Sequence, residues 1–340
     1  MTARAPTQGF GYTRGMDLDG TTALAVTALG SAAVAVAVKL HYRFWGWVYR
    51  LHPDSDGELT AICQDGWALR VSHFVPRGER RPTPVILCHG LSANRWNLML
   101  PGRHSLASAL RAAGYEVFVV DLRGSGESAR PPRGRSNAEV DFDAHVGLDA
   151  PAVLDLVEKV TGSRRAFWVG HSMGGLIGLA LAQTEHKPAL AGVVAVGSPA
   201  HWDFHQPILR HLLRAGLYLT IGGQFRHQWL LKLVAPYLWL PVPGDLAVVI
   251  HGPNMDAATN RKAAFHVLGD PSKRILAQFE GWLRRDRWET QQPPRDLRTG
   301  LADIACPVLL ITGSRDNLSP AANMEATFGK IGAPDKALVT

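Results

Sequence analysis

The feature that most narrows the possible folds is a series of short, near-continuous apolar runs separated by helical patterns. The runs are VILCHG (85–90), EVFVVDLRG (116–124), AFWVG (166–170), VVAVGS (193–198), PVLLITG (307–313) and KALVT (336–340). A strand that is apolar at consecutive positions is buried on both faces, as in a parallel sheet covered by helices. Between the runs, RHSLASALRAAG (103–114), VGLDAPAVLDLVEKV (146–160) and GGLIGLALAQTE (174–185) place apolar residues three and four apart. The first of these stops at Gly114, a helix C-terminal signal. Strand–helix alternation predicts a doubly wound, mostly parallel α/β sheet with right-handed crossovers. Ahead of it, ELTAIC and WALRVSHFV flank the turn Gln64-Asp65-Gly66 and predict a hairpin. The alternation breaks between Pro199 and Asp303, where a helical stretch rich in Trp and Arg reads as an insertion above the sheet edge.

Length and composition agree with this. A chain of 340 residues suits one large α/β domain with an insertion as well as it suits two domains. With 46% apolar and 19% charged residues, a sizeable core is available and global disorder is excluded. The formal net charge of +7 is spread through arginines without a run of like charges. It reads first as a solvated basic surface and second as an attraction to anionic lipid or acidic substrates. No motif supports nucleic-acid binding. Cys63, Cys88 and Cys306 are far apart and odd in number, which argues against a disulfide framework or a zinc site. No HExxH or clustered ligand spacing suggests a metal, and no cofactor is expected.

Residues 1–20 are expected to be a flexible N-terminus. Thr21 to Val38 then run 18 residues without a charge, at the lower edge of what spans a bilayer. Seven of these are Ala and six are Leu or Val, so the hydrophobicity is weak. The following KLHYRFWGWVYR mixes Tyr42, Phe44, Trp45, Trp47 and Tyr49 with Lys39, Arg43 and Arg50, a combination found at membrane interfaces. Residues 21–50 are therefore expected to form an apolar helix and a membrane anchor. A signal peptide competes, although Asp17 and Asp19 stand where its positive n-region belongs. A soluble packing helix is the third reading. The cationic flank hints at a membrane-associated protein with a cytoplasmic main domain. A soluble cytoplasmic or an exported protein is the alternative.

The segment AFWVGHSMGGLIGLALA carries the chemistry. It holds Gly170-His171-Ser172-Met173-Gly174, a G-x-S-x-G between an apolar strand and an apolar helix. A serine at a tight strand-to-helix turn is pushed out of the chain path. Glycines two residues before and after let the backbone pass without Cβ clashes. The helix that follows aims its N–H groups and dipole at the reacting centre. The bland reading, a chance turn of small residues, fits poorly with strand and helix both in place.

Three further blocks occur in order around this motif: VILCHGLSANRWN, VVDLRGSGES and CPVLLITGSRDNLSP. Together the four resemble the α/β-hydrolase family over about Glu58 to Thr340, and the resemblance implies an α/β-hydrolase fold for 58–340 with a cap at about 200–300. It implies Ser172 as the nucleophile. The backbone N–H of Met173, by the elbow rule, and of Leu91, by resemblance, would be the oxyanion-hole donors. Asp316 follows PVLLITG where the family presents its acid, which would orient and stabilise a histidine base. The bland reading of Asp316 is a loop aspartate or the cap of the helix starting near Ser319. Asp203, soon after VVAVGS, is the fallback. Gly124-Ser125-Gly126 lacks the P-loop frame and reads as a turn near the site. Asp121, Arg123, His89 and His171 read as structural support, and His201, His205 and His266 as surface or cap residues.

Cap residues Trp202, Trp229, Trp239, Trp282 and Trp288 and the apolar WLLKLVAPYLWLPVP (229–243) are expected to shape the substrate mouth, or simply to form a small helical core. An aromatic lid favours a small, hydrophobic ester substrate. The resulting expectation is a serine hydrolase, esterase- or lipase-like, that cleaves a carboxylic ester through an acyl-enzyme on Ser172. Acyltransferase or thioesterase chemistry at the same residues is a sibling. Ser172 argues against the dehalogenase and epoxide hydrolase branches, which use aspartate at the elbow. A non-catalytic binding protein of the same fold, or an inactive fragment without the base, is the alternative from another class. It arises because the last histidine is His266. The family places its catalytic histidine in the loop after the next strand, which here is KALVT. Thr340 lies 24 residues past Asp316 (340 − 316), so a truncated form of a longer hydrolase is expected.

Overall fold

The computed structural model describes residues 20–202, 207–237 and 256–340. Asp203, His205 and Trp239 lie outside the described residues. The chain divides into two compact units, 1–48 and 49–340.

The first unit contributes one α-helix, Gly20–Val48, of 29 residues. At about 1.5 Å per residue it is about 43 Å long. Leu24, Leu29, Val34, Leu40, Phe44 and Trp47 are exposed along it. The segment Thr21–Val48 has a mean hydropathy of 1.9 over its most apolar window, long and apolar enough to cross a membrane by length and composition. The helix runs unbroken through the aromatic and basic residues after Val38. Lys39 to Trp47 contain no Pro, and their one Gly lies near the end, so nothing stops propagation.

The second unit is built on an eight-stranded sheet in the order β1-β2-β4-β3-β5-β6-β9-β10. The strands are β1 Gly57–Ile62, β2 Ala68–Phe74, β3 Val85–Cys88, β4 Val117–Val120, β5 Ala166–His171, β6 Leu190–Val196, β9 Val308–Ile311 and β10 Lys336–Val339. The β1–β2 hairpin is antiparallel, and β2 pairs antiparallel with β4. From β4 onward every neighbour is parallel. The two-residue side-chain period sorts the strands into two cores. Ile86, Cys88, Phe118, Val120 and Trp168 face one layer, whereas Val85, Leu87, Val117, Val119 and Phe74 face the other. That explains why these strands read as unbroken apolar runs: both faces are covered by helices.

The helices follow the sequence closely, with one local departure. The first begins at Leu106, where the Ser105 hydroxyl accepts from the Ser108 N–H. The pattern expected over 146–160 is a π-helical turn, His145–Asp149, followed by an α-helix, Ala150–Thr161. Pro151 has no N–H to give to the preceding turn, and the wider turn absorbs that loss. Gly162 stops the helix in the left-handed region.

Between β6 and β9 lie the helices Pro207–Tyr218, Gln228–Val234, Ala257–His266 and Lys273–Arg285. A short antiparallel hairpin, β7 Glu289–Gln291 with β8 Pro294–Asp296, was not legible in the sequence, because three-residue strands carry no periodicity. Trp202, Trp282 and Trp288 are buried. Trp282 stacks on Trp202 at 6.0 Å and meets Phe142 edge-on at 5.0 Å. These tryptophans form a small core that ties the insertion to the Phe142 segment, and among the described cap tryptophans only Trp229 is exposed.

Candidate active site

The sheet order brings the motif residues together. In a parallel sheet the loops after successive strands emerge at one edge. β3, β5, β6 and β9 are neighbours, so Leu91, Ser172, Gly197 and Asp316 all leave the sheet at its carboxyl edge. The strand order reverses about β3, with β4 on one side and β5 on the other. Open α/β sheets bind ligands at such a switch point.

The turn at Ser172 is tight. Its φ and ψ are 52° and −117°, a conformation that L-residues rarely adopt. The Ser172 N–H donates to Val196 O at 2.8 Å, and the Trp168 indole N–H donates to Gly174 O at 2.9 Å. The glycines are required by close approach. A Cβ on Gly170 would lie 2.1 Å from the Gly174 carbonyl carbon, and one on Gly174 would lie 2.3 Å from Cys88 O. Ser172 itself is only half-buried. The helix Met173–Leu181 begins immediately after it.

The loop after β3 lies against this turn. A Cβ on Gly90 would stand 3.1 Å from the Ser172 Cβ. Leu91 and Met173 line one cleft. Among the described residues, neither of their backbone N–H groups donates to a main-chain carbonyl outside regular structure. Asp316 stands over the neighbouring strand ends. Its Oδ1 accepts from Leu318 N and Ser319 N at 2.8 Å each, and its Oδ2 lies 3.4 Å from where a Gly197 Cβ would be. Asp316 thus caps the turn after β9 with one oxygen and keeps the other toward the sheet edge. The structure brings Ser172, Met173 and Leu91 together, with Asp316 two strand positions away.

The supporting residues form two buried ion networks. Arg95 pairs with Asp121 at 2.6 Å, and Asp121 also accepts the backbone N–H of Arg95 and Glu127. Gly126, at φ +50°, passes so close that a Cβ would meet the Asp121 carboxylate, which explains the G-S-G turn. Arg123 pairs with Asp149 at 2.6 Å and with Asp65 at 2.8 Å, and His145 Nδ1 lies 2.8 Å from Asp149 Oδ2. Burial alone would raise the Asp149 pKa, but His145 and Arg123 hold it below the usual carboxylate range. Burial likewise lowers His89 and His171, against the opposing pull of Asp121 and Asp316 respectively. His89 is wholly structural: Nδ1–H donates to Gly90 O and Nε2 accepts from Leu122 N. His266 donates to Tyr49 O at 2.9 Å. His201 stands 3.6 Å from Asp286. Among the described residues no group of His, Cys, Asp and Glu could hold a metal.

Two residues of the cleft, Asn137 and His145, went unrecognised in the sequence. They belong to no motif, and the four-residue spacing of His145 and Asp149 is the one signal that could have marked them. Among the described residues, Trp202, Trp229, Trp282 and Trp288 are absent from the cleft lining, which is more polar than an aromatic lid implies.

A parallel sheet with an outward-turned serine between strand and helix defines a class, and sequence comparison identifies it. A family profile described as alpha/beta hydrolase fold matches residues 83–339, and the chain belongs to that family. The chain is similar to gastric triacylglycerol lipase of Homo sapiens, 33% identical over 175 residues, covering 48% of this chain and 41% of that protein. It is 32% identical over 144 residues to a tear acid lipase-like protein of Mesocricetus auratus, covering 39% of this chain and 36% of that protein. A longer match, to lipase member M of Mus musculus, is 24% identical and covers 81% of this chain and 74% of that one. The first two matches thus span well under half the length of those lipases. Among solved structures, an esterase from Thermogutta terrifontis superposes with a TM-score of 0.52 at 21% identity, covering 83% of this chain and 89% of that one. An esterase from Rhodococcus sp. ECU1013 does so at 0.54 and 17%, covering 83% and 90%. At these identities the structural likeness speaks for the fold.

Proposed function

We propose that the protein is a serine hydrolase that acts on carboxylic esters. The carrying observation is Ser172, half-exposed at φ 52° between β5 and its helix, with Gly90 packed against it and Leu91 and Met173 lining one cleft. In this reading Ser172 Oγ attacks the ester carbonyl and the alcohol departs as the acyl-enzyme forms. The two N–H groups receive the oxyanion, each accounting for about two to three powers of ten in rate. A histidine base takes the Ser172 proton and gives it to the departing alcohol, and Asp316 orients that histidine. The lipase relatives favour an ester of hydrophobic acyl character. The same residues also support acyl transfer to an alcohol or thiol.

A specific observation favours the second reading, a protein of this fold that binds esters without turning them over. His89, in the loop beside the elbow, has both ring nitrogens taken, by Gly90 O and Leu122 N. One experiment separates the two. The full chain is treated with a fluorophosphonate, and the labelled peptide is identified by mass spectrometry. Covalent label on Ser172, absent in Ser172→Ala, supports the hydrolase. Unlabelled protein that still binds an ester analogue supports the binding reading and sinks the first.

The helix Gly20–Val48 is assigned as a membrane anchor on its length, its exposed apolar side chains and its aromatic and basic C-terminal flank. Resistance of the expressed protein to carbonate extraction from membranes tests this; recovery in the soluble fraction refutes it.

A further inference from the structure

The cleft beside the oxyanion candidates has a polar wall that ester cleavage does not require. Leu91 and Met173 line it together with Ser92, Ser125, Asn137 and His145. Its free space is about 20 Å³. That is room for one group the size of a water molecule.

The hydrogen-bonding state of the wall is fixed by its neighbours. His145 Nδ1 is taken up by the Asp149 carboxylate at 2.8 Å, which Arg123 also holds. Asn137 Nδ2 donates to Ala129 O at 2.9 Å, whereas its Oδ1 is buried with no partner. The Arg123 guanidinium is taken up by Asp149 and Asp65, and the Ser272 hydroxyl by Val140 O and Ile275 N. Asn137 Oδ1 therefore borders a water-sized space as an acceptor, with the Ser92 and Ser125 hydroxyls able to donate or accept. An alkyl group there would leave Asn137 Oδ1 unsatisfied. Arg123 and Asp270 in the same wall are of opposite sign, so it favours neither a cation nor an anion. A hydroxyl both donates and accepts, and it has the right size.

We propose that this recess recognises a hydroxyl group carried by the ester close to its scissile bond. The preferred substrates are then hydroxylated esters, with the hydroxyl on a glycerol-type alcohol or on a 3-hydroxyacyl chain. The proposal rests on the hydrolase reading for turnover, but the recognition itself needs no chemistry.

The test uses the full chain with matched probes. Binding is read by saturation-transfer NMR with 1-O-butylglycerol against butyl propyl ether, and with 3-hydroxybutyramide against butyramide. Turnover is read with glycerol monobutyrate against propyl butyrate, and with ethyl 3-hydroxybutyrate against ethyl butyrate. The hydroxylated member of at least one pair should be preferred about 10-fold, and Asn137→Leu and His145→Phe should each reduce that preference to within about 2-fold. Preference in the first pair alone places the hydroxyl on the alcohol, and in the second alone on the acyl chain. If His145→Phe does not fold, Asn137→Leu, at a half-buried loop position, decides. Equal binding within both pairs, or a preference that survives the substitutions, overturns the proposal. Selective binding without turnover removes the hydrolase reading and leaves the recess standing. Turnover without preference does the reverse.

Discussion

The Ser172 N–H donates to the Val196 carbonyl at 2.8 Å, which ties the turn after β5 to the end of the adjacent strand β6. That bond and the two flanking glycines hold Ser172 at a positive φ that its side chain disfavours. Strain of this kind costs of order 1–3 kcal/mol and persists only where the surroundings impose it. Ser172→Gly should therefore raise stability by about 1 kcal/mol while abolishing fluorophosphonate labelling. Urea unfolding of the two proteins checks this, and a less stable glycine variant would contradict it.

The elbow should not tolerate a methyl group. Gly174→Ala would place a Cβ 2.3 Å from Cys88 O, and Gly170→Ala one at 2.1 Å from the Gly174 backbone. Neither obstacle is a movable side-chain tip, so each substitution should destabilise by about 3 kcal/mol or more. Gly147→Ala, with nothing within 4 Å of the added carbon, is the control and should stay within about 0.5 kcal/mol of wild type. Thermal melts of the three variants measure the difference.

Asp316 allows its two roles to be separated. Asn keeps an oxygen for the Leu318 and Ser319 N–H groups, whereas Ala removes it. Asp316→Ala should lose about 1 kcal/mol of stability, and Asp316→Asn much less. If Asp316 acts only as a cap, Asp316→Asn will label with fluorophosphonate at the wild-type rate. The hydrolase reading expects a marked slowing.

Stability should fall on the acid side in two stages. His89 accepts the Leu122 N–H on Nε2, which requires the neutral ring, and burial lowers its pKa in the folded state. Below about pH 6.5 the unfolded chain binds the proton more readily, so stability declines as pH falls from there, by at most about 1.4 kcal/mol per pH unit for this residue. His171 shifts in the same direction. Asp149 acts lower. Its pKa is depressed by His145 and Arg123 against burial, so its contribution is full above about pH 4 and is lost as pH falls through the folded value. Urea midpoints between pH 7.5 and 2 report both stages; a flat profile from 7 to 5 would refute the histidine stage.

Asp149→Asn should be among the most damaging polar substitutions. It leaves Arg123 buried with one carboxylate fewer, and breaking such a pair costs about 3 kcal/mol or more. The loss should show as a lower Tm at pH 7.

The local signals in the chain were sufficient for the sheet and for the elbow. Apolar runs such as VILC and VFVV are strands because both faces are covered, and the order of strands and helices then determines the doubly wound class. Gly170 and Gly174 mark the elbow because only glycine fits where backbones approach within contact distance, a requirement written into residue identity. Packing between distant segments is not encoded locally, and there the tertiary structure decided. It placed Trp202, Trp282 and Trp288, which the sequence left open as lid or core, in a core around Phe142, because aromatic side chains far apart in sequence bury one another once the insertion folds back. It also brought Asn137 and His145, which belong to no motif, to the same cleft as Leu91 and Met173. Periodicity and spacing act over a few residues, so the chain alone determined which elements form. The polarity of the cleft depends on which elements meet, and that is set only when long-range burial selects one arrangement of them.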